Sequence, residues 1–191
     1  MSQPVAILVG PPGAGKSSVG ELLAARLGVG FRDTDADVVA TAGRPIADIF
    51  VDEGEPRFRE LEAEAVRTAV ADHTGVLALG GGAVMRPETE ELLHGLPVVF
   101  LDVALTDAVK RVGLDAPRPL LVGSPRARWR ELMEQRRPVY TRVARVVVDT
   151  AGLTPDQVAD AVVDALELKR AMSGELRSSE AEPKRSAEGQ A

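Results

Sequence analysis

From Gly10 the chain reads GPPGAGKSS, and its first eight residues fit the spacing G-x-x-x-x-G-K-[ST]. That pattern suits phosphate. Gly10, Gly13 and Gly15, with Pro11, Pro12 and Ala14 between them, let backbone N–H groups turn inward toward anionic oxygens, and a helix opening behind them adds its positive end. Lys16 has the length to reach the β and γ phosphates of a nucleoside triphosphate, and Ser17 can hold Mg²⁺ through its hydroxyl. A nucleotide site of this kind does not name the phosphoryl acceptor.

Four further groups bear on the acceptor. Asp33-Thr34-Asp35 sets two carboxylates one residue apart, and in an extended segment both point the same way. One can then organise water around Mg²⁺ while the other takes the proton of an attacking hydroxyl. The same residues are also good helix N-caps ahead of Val38 and Val39. Arg59 and Glu62 stand at i and i+3 beside the apolar stripe Phe58, Leu61 and Ala65, whereas Arg136 shares a helical face with Trp129, Leu132, Met133 and Tyr140, just before Pro138 is expected to end the regular helix. Two guanidinium groups from separate helices can clamp a carboxylate in a fork geometry that lysine does not copy. Taken singly, each can instead lie along apolar surface or cap a helix end.

Arg118 lies in a stretch from Gly113 to Pro125 that is rich in glycine and proline and reads as a long loop of the kind that forms lids. An arginine there reaches a transferring phosphoryl group when the lid shuts, or is simply a solvated charge in a flexible connection. The run LALGGGAV gives up three side chains at Gly80, Gly81 and Gly82, which destabilises a strand end unless the space is needed. Bare backbone there lets N–H groups lie against a substrate hydroxyl and the reacting phosphate.

Short uncharged runs must carry these groups. Val5–Val9, Val76–Leu79, Val98–Leu101 and Val146–Val148 read as strands buried on both faces, and Gly30–Arg32 as a weaker fifth strand. Between them, Val19, Leu22, Leu23 and Leu27 mark one helix face, Phe58 to Ala69 a second, and Val158, Ala161, Val162 and Ala165 a third, opened by Thr154, Pro155 and Gln157 as a capping box. Strict alternation predicts a three-layer α/β fold with its ligands at the carboxyl ends of the strands. One domain is expected over residues 1–170, followed by a tail, 171–191, too poor in apolar residues to order itself.

Composition removes other classes. The 191 residues include no cysteine and two separated histidines, His73 and His94, so disulfides, thiolate zinc sites and a histidine metal cluster are not expected. A formal charge of -6 and few aromatic residues argue against nucleic acid. The stretch MSQPVAILVG has too few apolar residues for a signal peptide or a membrane span, so a soluble, cytoplasmic protein that binds no membrane is expected, and it is taken to be a monomer.

Taken in series, GPPGAGKSS, DTD, GRPIADIF followed by EPRFRELE, LGGGAV, RPLL and RRPVY resemble the shikimate kinases of the nucleoside-monophosphate-kinase-like P-loop group, over roughly positions 3 to 168. The resemblance implies a five-stranded parallel sheet of order 2-3-1-4-5, and transfer of the ATP γ-phosphoryl to the 3-hydroxyl of shikimate with one Mg²⁺ per subunit. It implies that Asp35 holds the hydroxyls and acts as base, that Asp33 supports Mg²⁺ through water beside Ser17, and that Arg59 and Arg136 grip the carboxylate, with Gly80, Gly81 and Gly82 lining the acceptor. ATP then falls to the run Gly10 to Ser18, Arg118 becomes the lid arginine, and Arg111 and Pro155 flank adenine. Two other readings remain: another small-molecule kinase on this scaffold, such as a gluconate or nucleotide kinase, and a non-catalytic binding module.

Overall fold

A computed structural model describes residues 3–112 and 125–168, with the side chains of 109–112 and 125–126 left aside. The apolar runs form five strands, β1 (Ala6–Val9), β2 (Phe31–Asp33), β3 (Val76–Ala78), β4 (Val98–Asp102) and β5 (Val146–Asp149). They make one parallel sheet of order β2-β3-β1-β4-β5, as the resemblance implies. Every residue of β1 and β3 is buried, which is why these strands are runs of Val, Leu, Ile and Ala without alternation. Strand β2 begins one residue later than the sequence suggests, and its last residue is Asp33. In this order β1 is central, so the loops leaving β1, β2 and β3 open at one end of the sheet.

The helices are α1 (Lys16–Leu27), α2 (Thr34–Ala42), α3 (Ile46–Asp52), α4 (Gly54–Asp72), α5 (Pro87–Leu93), α6 (Leu105–Val112), α7 (Pro125–Val143) and α8 (Pro155–Ala165), with a 3-10 turn at Ala83–Met85. Helix α1 buries Val19, Leu23 and Leu27 and packs against α8. Helices α2, α3 and α4 gather round a separate small core of Val38, Ile49, Phe58 and Ala65. That satellite core fixes α4, which carries Arg59, against α2, which carries Asp35.

Helix α8 opens with the expected capping box: Thr154 Oγ1 accepts from the Gln157 N–H at 3.2 Å, and Gln157 Oε1 accepts from the Thr154 N–H at 2.9 Å. Thr154→Ala removes one of these bonds and leaves Pro155 in place. We expect a loss of about 1 kcal/mol in urea unfolding with little change in turnover. An unchanged midpoint would mean that proline alone sets this helix start.

Helix α7 does not end at Pro138 but continues to Val143. An interior proline costs about 3 kcal/mol in a bare helix. Here the next turn carries Tyr140, fully buried and stacked on Phe100 with ring centroids 5.0 Å apart. Burying that ring, with an aromatic pair worth about 1 kcal/mol more, offsets the missing backbone bond.

Arg118, the expected lid and the expected tail from 171 onward lie outside the described residues, as does the side chain of Arg111, which falls on α6. Among the described residues no helix is long and apolar enough to cross a membrane.

Candidate active site

Strand β1 runs directly into the phosphate-binding pattern, and the loop takes the shape its glycines allow. Gly13 and Gly15 have φ of 83° and 87°, left-handed values that disfavour other residues. Gly15 caps α1 without any side-chain hydrogen bond, and the first turn of α1 contains no acid. The leading N–H groups of α1 therefore have no side-chain cap, and the local field favours an anion. Lys16 arches over the loop, its Nζ donating to the carbonyls of Gly10 at 2.9 Å and Pro11 at 3.2 Å. A cavity of about 430 Å³ opens above, lined by residues 12–18 of the loop, by Asp33 and Asp35, and by Leu153, Pro155 and Val158.

The two aspartates do not lie on one extended segment. Asp33 ends β2 with φ -120° and ψ 122°, and its Oδ1 accepts from the Asp35 N–H at 3.0 Å, so the helix starts at Thr34 and Asp35 sits in its first turn. The cap governs the local geometry, yet the other Asp33 oxygen still faces the phosphate loop: Ser17 Oγ donates to Asp33 Oδ2 at 2.7 Å. Thr34, wholly buried, accepts the Gly80 N–H through Oγ1 at 3.1 Å and ties the start of α2 to the glycine run.

At Gly80 the glycine run differs from expectation. The Gly80 N–H is directed at Thr34, so it is not presented to a ligand. What the run supplies is room. A Cβ on Gly80 would lie 2.6 Å from both Asp35 Oδ1 and Glu62 Oε1, and one on Gly82 would overlap the Arg59 guanidinium. Arg136 Nη1 donates to the Gly81 carbonyl at 3.0 Å. Two carboxylates and two guanidinium groups from α2, α4 and α7 thus converge on three residues without side chains.

Arg59 is held from both sides, by Glu62 Oε2 at 2.6 Å and by Glu55 Oε1 at 2.9 Å. Burial opposes its charge, but the two glutamates outweigh burial and keep its pKa above the ordinary arginine value. Burial pushes the Glu62 carboxyl up against the pull of Arg59, and the charge of Asp35 adds to the push. A carboxyl with a raised pKa contributes fully to stability below the ordinary glutamate range and loses that contribution as pH rises through its own higher value. The ionised form of Glu62 therefore works against the fold, a pattern common where geometry serves binding. Burial also raises the Tyr140 hydroxyl to about 12, so it stays a donor at physiological pH.

The shikimate kinase family model matches residues 12–167. The chain belongs to the shikimate kinase family. Shikimate kinase of Streptomyces coelicolor is 60% identical over 171 residues, 90% of this chain and 100% of that one. The solved shikimate kinase of Acinetobacter baumannii, in complex with shikimate, superposes with a TM-score of 0.83 at 33% identity, covering 89% of this chain and 95% of the other. That of Bacteroides thetaiotaomicron gives 0.74 at 26% identity, covering 87% and 97%. Of the residues the family pattern points to, the fold brings the phosphate loop, Asp33, Asp35, Arg59, Gly80 to Gly82 and Arg136 to one crevice, with Pro155 also lining the cavity over the phosphate loop. The contacts of Thr34 and Tyr140 were not foreseen. Thr34 was visible only as a helix-cap candidate, and the Tyr140 contact spans too much sequence for spacing to show. Asp102 pairs with Arg137, and Asp149 Oδ1 accepts from the Ala151 N–H at 2.9 Å.

Proposed function

We propose that the chain transfers the γ-phosphoryl group of ATP to the 3-hydroxyl of shikimate. The observation that carries this reading is the convergence of Asp35, Arg59 and Arg136 on Gly80 to Gly82, directly beside the phosphate loop: a Cβ on Gly81 would stand 3.4 Å from Pro12 Cδ and 3.5 Å from the Gly10 carbonyl oxygen. An acceptor with a carboxylate at one end and a hydroxyl at the other fits between the arginines and the aspartate. Arg59 and Arg136 bind the carboxylate, and Glu62 holds Arg59 in orientation. Asp35 accepts the proton as the hydroxyl oxygen bonds to the γ phosphorus and the bond to the β-phosphate oxygen breaks, releasing ADP.

Lys16 and the leading N–H groups of α1 hold the phosphates through the transfer. Ser17 Oγ and Asp33 Oδ2, 2.7 Å apart at the loop, are hard oxygen donors of the type that Mg²⁺ takes alongside phosphate and water. Bound there, one Mg²⁺ per subunit would neutralise charge on the β and γ phosphates. We assign Ser18 to the ATP site with the rest of the loop, Arg111 and Pro155 to adenine, and Arg118 to the transferring phosphoryl group. We also assign the enzyme to the cytoplasm as a monomer.

The test is ADP release with shikimate, quinate, gluconate, a nucleoside monophosphate or no acceptor. Turnover with shikimate should exceed every other arm. Faster turnover with gluconate or the nucleotide would replace the acceptor, and ATP binding without turnover in any arm would make the chain a binding module.

A further inference from the structure

Helix α7 carries Trp129, Met133, Arg136 and Tyr140 on one face, and all four are buried. Three of them bond to loops. The Trp129 indole N–H donates to the Pro12 carbonyl at 3.3 Å, whereas Arg136 Nη1 and the Tyr140 hydroxyl donate to the Gly81 carbonyl at 3.0 Å and 2.5 Å. Pro12 belongs to the phosphate loop and Gly81 to the acceptor side. One helix is therefore bonded to both halves of the crevice, and each bond ends on a backbone carbonyl whose direction depends on its loop's conformation.

We propose that Trp129 and Tyr140 are positioning residues that set the phosphate loop and the glycine run in register, so that nucleotide binding changes acceptor affinity through α7. The inference rests on reading the crevice as the site for ATP and shikimate. Phosphate fixes the peptide planes of the loop, including that of Pro12. The indole is a donor only, and Trp129 is buried, so losing the Pro12 carbonyl would cost it its partner and the ring follows that carbonyl. Arg136 lies two turns further along the same helix. The coupling is reciprocal by linkage: acceptor bound at Arg136 favours the loop conformation that binds nucleotide.

The test measures shikimate affinity by calorimetry with and without saturating ADP, in the wild type and in Trp129→Phe and Tyr140→Phe. In the wild type ADP should tighten shikimate binding by about 5- to 20-fold. Trp129→Phe keeps a ring but lacks the donor, and there the ADP effect should shrink to within about twofold, with nucleotide-free shikimate affinity changing by less than about threefold. Tyr140→Phe keeps the stack on Phe100 but loses the Gly81 bond, and there too the ADP effect should shrink to within about twofold, with ADP affinity in the absence of shikimate unchanged.

An ADP effect of wild-type size in Trp129→Phe overturns the proposal, whatever happens to its melting temperature, and so does a wild type that binds both ligands without mutual effect. Should Trp129→Phe fail to fold, the wild type still decides, because Trp129 is the sole tryptophan. Its emission should shift on ADP and again on shikimate, and a flat titration rejects the link. A wild type that binds ADP but no shikimate refutes the functional reading and the inference with it.

Discussion

Replacing Asp35 with Asn is expected to lower turnover about 10²–10⁴-fold while leaving shikimate affinity largely intact. The substitution keeps the shape of the side chain and most of its hydrogen bonding but removes the proton acceptor. The helix start should survive, because the bond to Asp33 comes from the backbone N–H of residue 35. Single-turnover rates and calorimetric affinities separate the two effects. A variant that loses affinity in proportion to rate would make Asp35 a binding residue and leave the base to be found elsewhere.

Arg136→Lys and Arg59→Lys should each weaken shikimate by about 1.5–3 kcal/mol, roughly 10- to 150-fold in affinity, with ATP affinity little changed. Lysine retains the charge, so the loss reports the planar fork. At position 136 it also gives up the donor to Gly81. A neutral ester of shikimate lacks the anion, so the wild type should bind it poorly, and Arg136→Lys should lose less against the ester than against shikimate. Equal losses would mean that Arg136 supports the fold or the phosphates, and the carboxylate clamp would be withdrawn.

The parts of the molecule that could be read from the chain are those whose causes are local. The phosphate loop is one unbroken stretch, and the strands announce themselves by missing charge. The Thr154 capping box needs only four residues to see. The misreadings have causes at a distance. Pro138 looks like a stop until Tyr140 meets Phe100 on another element. The two aspartates allow both an extended and a capping reading from spacing alone, and the fold takes the second, with Asp33 capping the helix that carries Asp35. Helices α3 and α5, of seven residues each, are too short to show a full apolar stripe, so periodicity passes over them. The glycine run was legible as a place where space is needed. What fills that space comes from α2, α4 and α7, so its occupants could not be read from the run itself.

That crowding bears on inhibitor resistance. A binding site commonly escapes a drug by enlarging or reshaping a side chain that the drug touches and the substrate does not. At two of the three positions from Gly80 to Gly82 this route disturbs the site itself, since even a methyl group would displace Asp35 and Glu62 or Arg59. A compound whose affinity comes from contact with this stretch of main chain would leave the enzyme few substitutions that spare its own acceptor site.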